Sequence, residues 1–513
     1  MIKKNLPLLS LFFLYASLFF NQIFIGNYNL NFATAFEVDP GSIMDSIYKM
    51  YNFPIYSHFN GFHSKFYGWA YNSICFFLTI PLIIIGSIYT FDLENAFIIE
   101  IRIIHFLIGF LMISFFYLFL NEYFKNRFFP LILCVAIIFA SGNEFFYFIH
   151  PETIGVLFLI LAAWCFKKCL SIYSIKFFYL SLIFLTLAAL SKQIFAIYCL
   201  ICFIYFFLYY FKDLKGKYSK NRSNFNFIFR IFLIAFITSF LIMPYAFISP
   251  LKFISYQIEL STTFYENTSF FDSIFSWSSA IKQNFFLTSN LLLNMFFMIY
   301  VLIRQKKAPT HYWFFNFSIF FYFITIASVN KNNPQLVYLY LVNFLLLFNY
   351  IFLNYIKVKD YFYTIFIISI LLTNFYNIYN EYPELKSKLE RRLDKKNSLV
   401  YLSYNFINNI QNDKLVIFHD QHVAVPSQHT SCHFWKECND MDYVSTINPD
   451  YIIYAENYKI DWAGYNVKPD RIKEYINSSN QYELETIISA NTFNFHDFSN
   501  NLDSTGLYVY KKK

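Results

Sequence analysis

Charge is what this chain has least of: 14% of its 513 residues are Asp, Glu, Lys or Arg, while 57% are hydrophobic. Soluble domains carry about 25% charged residues, so an ordinary water-soluble globular protein is excluded. The sequence also lacks internal repeats and long disordered tracts. Its first apolar stretch, Leu6 to Ile25, lacks a good cleavage signal: Tyr15-Ala16-Ser17 is a poor one, and the apolar run continues past it. We read this stretch as an uncleaved first span behind Lys3 and Lys4. The net charge of +8 is spread over loops between apolar segments, so it does not point to nucleic acid.

What the sequence does contain is a series of apolar segments near the length of about 20 residues that a bilayer requires. Beyond the first, spans are expected near Phe97–Leu120, Phe128–Phe148, Thr153–Phe166, Phe177–Leu190, Ile194–Phe211, Ile228–Ile248, Phe285–Ile303, Tyr312–Val329, Leu336–Leu353 and Tyr361–Tyr379. The fold class expected is mainly α: a polytopic transmembrane bundle of about eleven spans with a small α/β domain after it. Residues 1–379 would form the membrane domain, with a first outward loop over 26–96, and 380–513 the α/β domain. In that tail, Ser398 to Ile410 has helical spacing, while 415–418, 451–454 and 507–510 are short β-rich runs.

Sidedness turns on Ser73 to Tyr89, an apolar piece interrupted by Pro81 and Gly86. If it does not cross, Lys125, Arg127, Lys167, Lys168, Lys176, the basic residues of 212–230, Arg304, Lys306, Lys307, Lys357 and Lys359 all join the N-terminus in the cytoplasm. If it crosses, they all move outside and oppose Lys3 and Lys4. The positive-inside rule selects the first topology. The first loop, the tail and the junctions at His150 and Lys192 then share the outer face.

Carboxylates beside a bilayer are costly, and by default they mark function. Glu37 and Asp39 follow the first span in Phe36-Glu37-Val38-Asp39-Pro40-Gly41. Their bland alternative is a solvated loop. Glu152, in His150-Pro151-Glu152, opens a helix where the dipole favours an acid. Lys192 interrupts the apolar run from Leu185 to Leu200, either snorkelling to the interface or meeting an anion such as a phosphate. A carboxylate can act as general base and a cation can stabilise a phosphate leaving group. Sugar transfer would use both.

In order, these features resemble the polytopic GT-C glycosyltransferases, in particular the bacterial lipid A aminoarabinose transferase and protein O-mannosyltransferase type (glycosyltransferase families 39 and 83). The match rests on Glu37-Val38-Asp39-Pro40, the interrupted segment Ser73–Tyr89, His150-Pro151-Glu152 and Ser191-Lys192-Gln193. The resemblance implies an inverting enzyme of the bacterial inner membrane, with a polyprenyl-phosphate sugar donor and a lipid, glycan or protein acceptor. By that resemblance Asp39 and Glu37 are catalytic, and His150, Glu152, Lys192 and Tyr67 bind substrate. The family often has adjacent acids where Val38 intervenes here, so either Glu37 or Asp39 is the base. A divalent metal is compatible with the acids but not demanded by them. The rival class is a transporter or flippase of lipid-linked saccharides. It should show matched interrupted spans in the two halves, and none is evident.

The tail also carries His419, Asp420, His422, His429, Cys432, His433 and Cys438. Cys and His are usual zinc ligands, but the spacing matches no finger pattern. On the outer face, a Cys432–Cys438 disulfide is the simpler expectation, with free thiols or a metal as alternatives.

Overall fold

The structure is a computed structural model. It describes all residues except 1, 26–27, 29, 31, 34–42, 49, 51–68, 89–92, 141–145, 148, 173, 193, 210–223, 256–271, 273–274, 276–277, 280, 283, 305–311, 314–315, 318, 323–341, 343–344, 348, 355–359, 397, 411–413, 421–422, 434–440, 456–468 and 490–505. Glu37, Asp39, Tyr67 and Cys438 therefore lie outside the described residues.

Among the described residues the chain is mainly helical, with one small sheet near its C-terminus. Among the described residues, five helices are long and apolar enough to cross a membrane: Leu6–Phe24, Trp69–Gly86, Leu93–Asn121, Phe285–Ile303 and Tyr361–Leu393. Shorter apolar helices include Phe128–Phe139 and Ile175–Ser191. Their outer faces are lipid-like. On the helix Asn224–Ile242, Phe229, Phe232, Leu233, Phe236, Ile237, Phe240 and Leu241 are all exposed, an apolar surface that water would not tolerate. This is a multi-pass membrane protein.

Two elements depart from the sequence expectation. Trp69–Ile88 is one 20-residue helix running through Pro81. Membrane helices tolerate proline because neighbouring groups satisfy the backbone it frees. Its polar residues Asn72, Ser73 and Thr79 are buried, and Ser73 donates to the Ile242 carbonyl, whereas Phe77, Leu78, Ile84 and Ile85 are exposed. The helix thus shows its apolar side outward. The second departure is Asp360–Leu393, 34 residues long through Pro383. At 1.5 Å per residue it is about 51 Å long, well beyond the roughly 30 Å hydrocarbon layer. The apolar run ends near Tyr379, but the helix continues through its charged last turns.

The described chain divides into two compact units: Met1–Phe20, Asn52–Cys75 and Ile104–Lys386 in one; Asn21–Tyr51, Phe76–Ile103 and Ser387–Lys513 in the other. In the first unit, Pro151–Ile172 packs along Ile175–Ser191, which also meets Ile194–Tyr209 and Asn224–Ile242. Later helices of this unit are joined by buried amides. Tyr350 donates to Asn290 Oδ1 at 2.9 Å, Asn290 and Asn374 face each other at 3.4 Å, and Asn349 donates to Asn316 at 2.9 Å. Away from water, such polar groups hold helices together because they have few other partners.

In the second unit, β1 (Val416–His419), β2 (Thr430–His433), β3 (Tyr451–Ala455), β4 (Tyr482–Ser489) and β5 (Gly506–Lys512) form a sheet in the order β2-β1-β3-β5-β4. β1 runs parallel to β2 and β3, while β5 is antiparallel to β3 and β4. Alternation along β3 sorts its side chains. Tyr451, Ile453 and Ala455 join Leu399 and Ile407 of the helix Leu399–Asn408 on one face. Ile452 and Tyr454 join Val444, Ile472 and Ile476 of two other helices on the opposite face. Asn448 (φ 51°) and Asn480 (φ 53°) follow those two helices in the left-handed conformation that asparagine tolerates at helix ends.

Tyr350→Phe is expected to lower stability by about 1 kcal/mol, and Asn290→Leu by more, because it leaves the buried Tyr350 hydroxyl without its acceptor. Unfolding in detergent micelles checks both; equal effects would count against Asn290 as the hub.

Candidate functional site: a buried carboxylate between two helix ends

Glu152 lies in the first turn of the helix Pro151–Ile172. Lys192 follows the last residue of Ile175–Ser191, in extended conformation (φ −159°, ψ 144°). Forty residues apart in sequence, they meet because the two helices form an antiparallel hairpin. Lys192 Nζ donates to Glu152 Oε1, and His150 Nδ1 lies 3.2 Å from Glu152 Oε2. The Glu152 side chain is 4% exposed, those of His150 and Lys192 12% and 16%. The carboxylate is thus nearly dry, and its two partners stand toward the surface.

Helix dipoles reinforce this placement. The acid sits at a helix N-terminus and the ammonium at a helix C-terminus, each at its favourable pole. Gly155 permits the close approach. A Cβ there would lie 2.5 Å from the Phe195 ring, three residues beyond Lys192. Phe195 N also donates to the Lys192 carbonyl at 3.0 Å, closing the turn.

A second acid group occupies the turn after Leu93–Asn121. Glu122 accepts from Lys167 (2.6 Å), Trp164 (2.8 Å) and Lys168 (3.1 Å). Lys167 also sits 3.7 Å above the Tyr123 ring. Partial burial pushes the Glu122 carboxyl up, but the hydrogen bonds from Lys167, Trp164 and Lys168 prevail and hold it below the usual carboxylate range. At 26% exposure, this group is wetter than Glu152 and reads as a clamp between two helices.

Of the residues predicted for the site, His150, Glu152 and Lys192 are brought together. Glu37, Asp39 and Tyr67 fall outside the described residues. The sequence puts Glu152 and Lys192 on one face but carries no signal that the two side chains pair. Sequence reading also passes over Tyr71 and His105, both buried, whose Oη and Nδ1 lie 3.2 Å apart. The available signal was spacing: Arg102 and His105 interrupt the helix Leu93–Asn121 at helical period, and both are buried.

In the tail, His419 Nδ1 is 2.8 Å from the Asp420 carbonyl and Nε2 is 2.7 Å from Ser431 Oγ. Asp420 Oδ2 accepts from Ala455 N at 2.7 Å. These groups stitch the strand ends together. Among the described residues, no group of three or more His, Cys, Asp or Glu is placed to hold a metal ion. Cys432 is disulfide-bonded, and the six cysteines of the apolar segments are free thiols.

These elements define a multi-pass helical membrane protein with an α/β sheet region near its C-terminus. No protein-family model matches the chain, and no curated protein matches it. Among solved structures, it is similar to the crystal structure of ArnT from Cupriavidus metallidurans in the apo state, with a TM-score of 0.44 and 8% identity over 83% of this chain and 86% of that one.

Lys192→Ala should destabilise the protein by about 3–5 kcal/mol, because it strands a buried carboxylate. Adding Glu152→Gln to that variant should recover much of the loss. Thermal unfolding of the two single variants and the double variant checks this, and additive losses would rule out the dependence. Gly155→Val should likewise lower the melting temperature by displacing Phe195.

Proposed function

We propose that this protein is an integral membrane glycosyltransferase. It moves a sugar from a polyprenyl-phosphate donor to a lipid, glycan or protein acceptor on the extracytoplasmic face. The observation that carries this reading is the convergence of Glu152, Lys192 and His150 at one end of a helical hairpin. A dry, preorganised set of charges in an otherwise apolar bundle suits a reaction that develops charge on a lipid phosphate.

In this reading the helix Trp69–Ile88 does not cross the bilayer, the basic loops are cytoplasmic, and the first loop and the tail are outside. Residues 1–379 act as the membrane catalytic domain and 380–513 as an outer domain closed in part by a Cys432–Cys438 disulfide. Asp39, or Glu37 beside it, takes the proton of the acceptor hydroxyl as that oxygen bonds to the sugar's anomeric carbon. The bond from that carbon to the phosphate oxygen breaks, and its electron pair stays with the phosphate. One displacement on one face inverts the anomeric centre. An ammonium carries three protons, so pairing with Glu152 does not prevent Lys192 from also meeting a phosphate oxygen. Glu152, itself held by His150, then keeps Lys192 in place. Tyr67 lies in the same loop as the acids and supplies a ring against the sugar.

The test is transfer of radiolabelled sugar from a panel of polyprenyl-phosphate sugars to acceptors in membranes that contain the protein. Donor-dependent transfer is expected, falling about 100-fold or more in Asp39→Asn and strongly in Lys192→Ala, with expression matched. Equal labelling with and without the protein would refute the enzyme, and lipid-linked saccharide translocation would then be measured instead. Cysteine-scanning topology should place residues on both sides of Trp69–Ile88 outside; opposite sides would overturn the assigned orientation.

A further inference from the structure

The C-terminal sheet carries a polar cluster for which the membrane chemistry has no use. β1 runs parallel to both β2 and β3 and lies between them. The chain therefore leaves β1 toward one side and returns on the other, which makes the carboxyl ends of these strands a topological switch point. Open α/β sheets place their ligands just outside such ends. His419 and His433 are the last residues of β1 and β2 and stand opposite each other in register. Asp420 follows β1, and Ala455 ends β3.

The bonding at this edge has a direction. His419 Nδ1 is 2.8 Å from the Asp420 carbonyl oxygen, and Nε2 is 2.7 Å from Ser431 Oγ. A carbonyl can only accept, so Nδ1 carries the ring proton toward it. Nε2 of the neutral imidazole then holds a lone pair and accepts from the Ser431 hydroxyl. Asp420 is itself fixed from two sides: its N donates to the Ile453 carbonyl at 3.2 Å, and its Oδ2 accepts from Ala455 N at 2.7 Å. His419 is 4% exposed and Asp420 7%, whereas Ser431 is only half-buried. The base and its support are thus dry and held, and the hydroxyl is reachable.

A hydroxyl on an imidazole lone pair, with the imidazole oriented by a third group, is the arrangement of an activated serine nucleophile. The ladder between β1 and β2 already joins these strands, so joining them does not require it. The His433 ring stands edge-on to His419, with centroids 5.1 Å apart, and forms a wall beside the pair.

We infer that the tail holds a second catalytic centre, an esterase dyad with Ser431 as nucleophile and His419 as general base. This centre does not depend on the glycosyltransferase reading. Ser431 Oγ bonds to the carbonyl carbon of a carboxylic ester while His419 Nε2 takes its proton. The bond from that carbon to the alcohol oxygen breaks, its electron pair leaves with the oxygen, and Nε2 returns the proton to it. Water then attacks the acyl-serine, giving its proton through His419 to Ser431 Oγ as the acid departs. The Asp420 carboxylate beside the dyad would repel an anionic phosphoester, so the substrate class is a neutral carboxylic ester. Asp420 is a positioning residue that acts through His419.

The experiment uses the full-length protein in detergent micelles with two probes: a neutral fluorophosphonate, which modifies activated serines, and p-nitrophenyl acetate. The expected result is phosphonylation mapped to Ser431 by mass spectrometry and p-nitrophenol release above the buffer rate. Both are lost in Ser431→Ala and fall about 100-fold or more in His419→Gln, with melting temperatures recorded to confirm folding. Asp420→Ala lowers kcat with KM kept, whereas Asp420→Asn, which retains an acceptor for Ala455 N, restores it. A wild-type protein in which Ser431 takes no phosphonate overturns the inference, however the variants fold. Ester hydrolysis that survives Ser431→Ala overturns it too, as does Ser431 labelling that His419→Gln leaves unchanged.

Discussion

In hydrocarbon a polar group has no solvent to fall back on, and this constraint orders most of what the structure shows. Backbone groups are satisfied within helices, and the few polar side chains left in the bundle must find one another. The amides of Asn290, Asn374, Asn316 and Asn349 do so, as do Tyr71 and His105. Glu152 is the extreme case. A carboxylate this dry holds its place only because Lys192 and His150 are brought to it, and its position in turn fixes how the two helices of the hairpin meet.

The same constraint connects stability with chemistry. An ion pair buried in an apolar bundle contributes little net stability over apolar residues of the same shape, yet breaking it by removing one partner is costly. The presence of Glu152 and Lys192 here therefore asks for a reason beyond packing. In the proposed function, charge held ready for a lipid phosphate supplies that reason, and it is why the pair, rather than the wetter Glu122 clamp, anchors that proposal.

The C-terminal sheet follows different rules because its environment is different. Its core forms by period-2 alternation between two faces, with β3 buried throughout. Its connection to the start of the chain uses one arginine, one glutamine and a set of aromatic rings. Residues 21–51, 76–103 and 387–513 thereby form one compact unit.

Composition and periodicity alone determined the membrane class, the position of most helices and the α/β character of the tail. Apolar period and length are local properties that lipid imposes directly on sequence. The helix at 399–408 and strands β1, β3 and β5 were legible for the same reason. Strands β2 and β4 were not: Thr430–His433 has no apolar alternation, and Tyr482–Ser489 carries Glu483 and Glu485 on a largely exposed edge. Their strand state depends on neighbours. Pro81 and Gly86 suggested a break that tertiary packing removed. His150, Glu152 and Lys192 could each be picked out as unusual, but their meeting across forty residues was decided by the helical hairpin and by the missing side chain at Gly155. The tie between Gln22 and Arg392, 370 residues apart, was beyond any local pattern, because only the folded chain sets that distance.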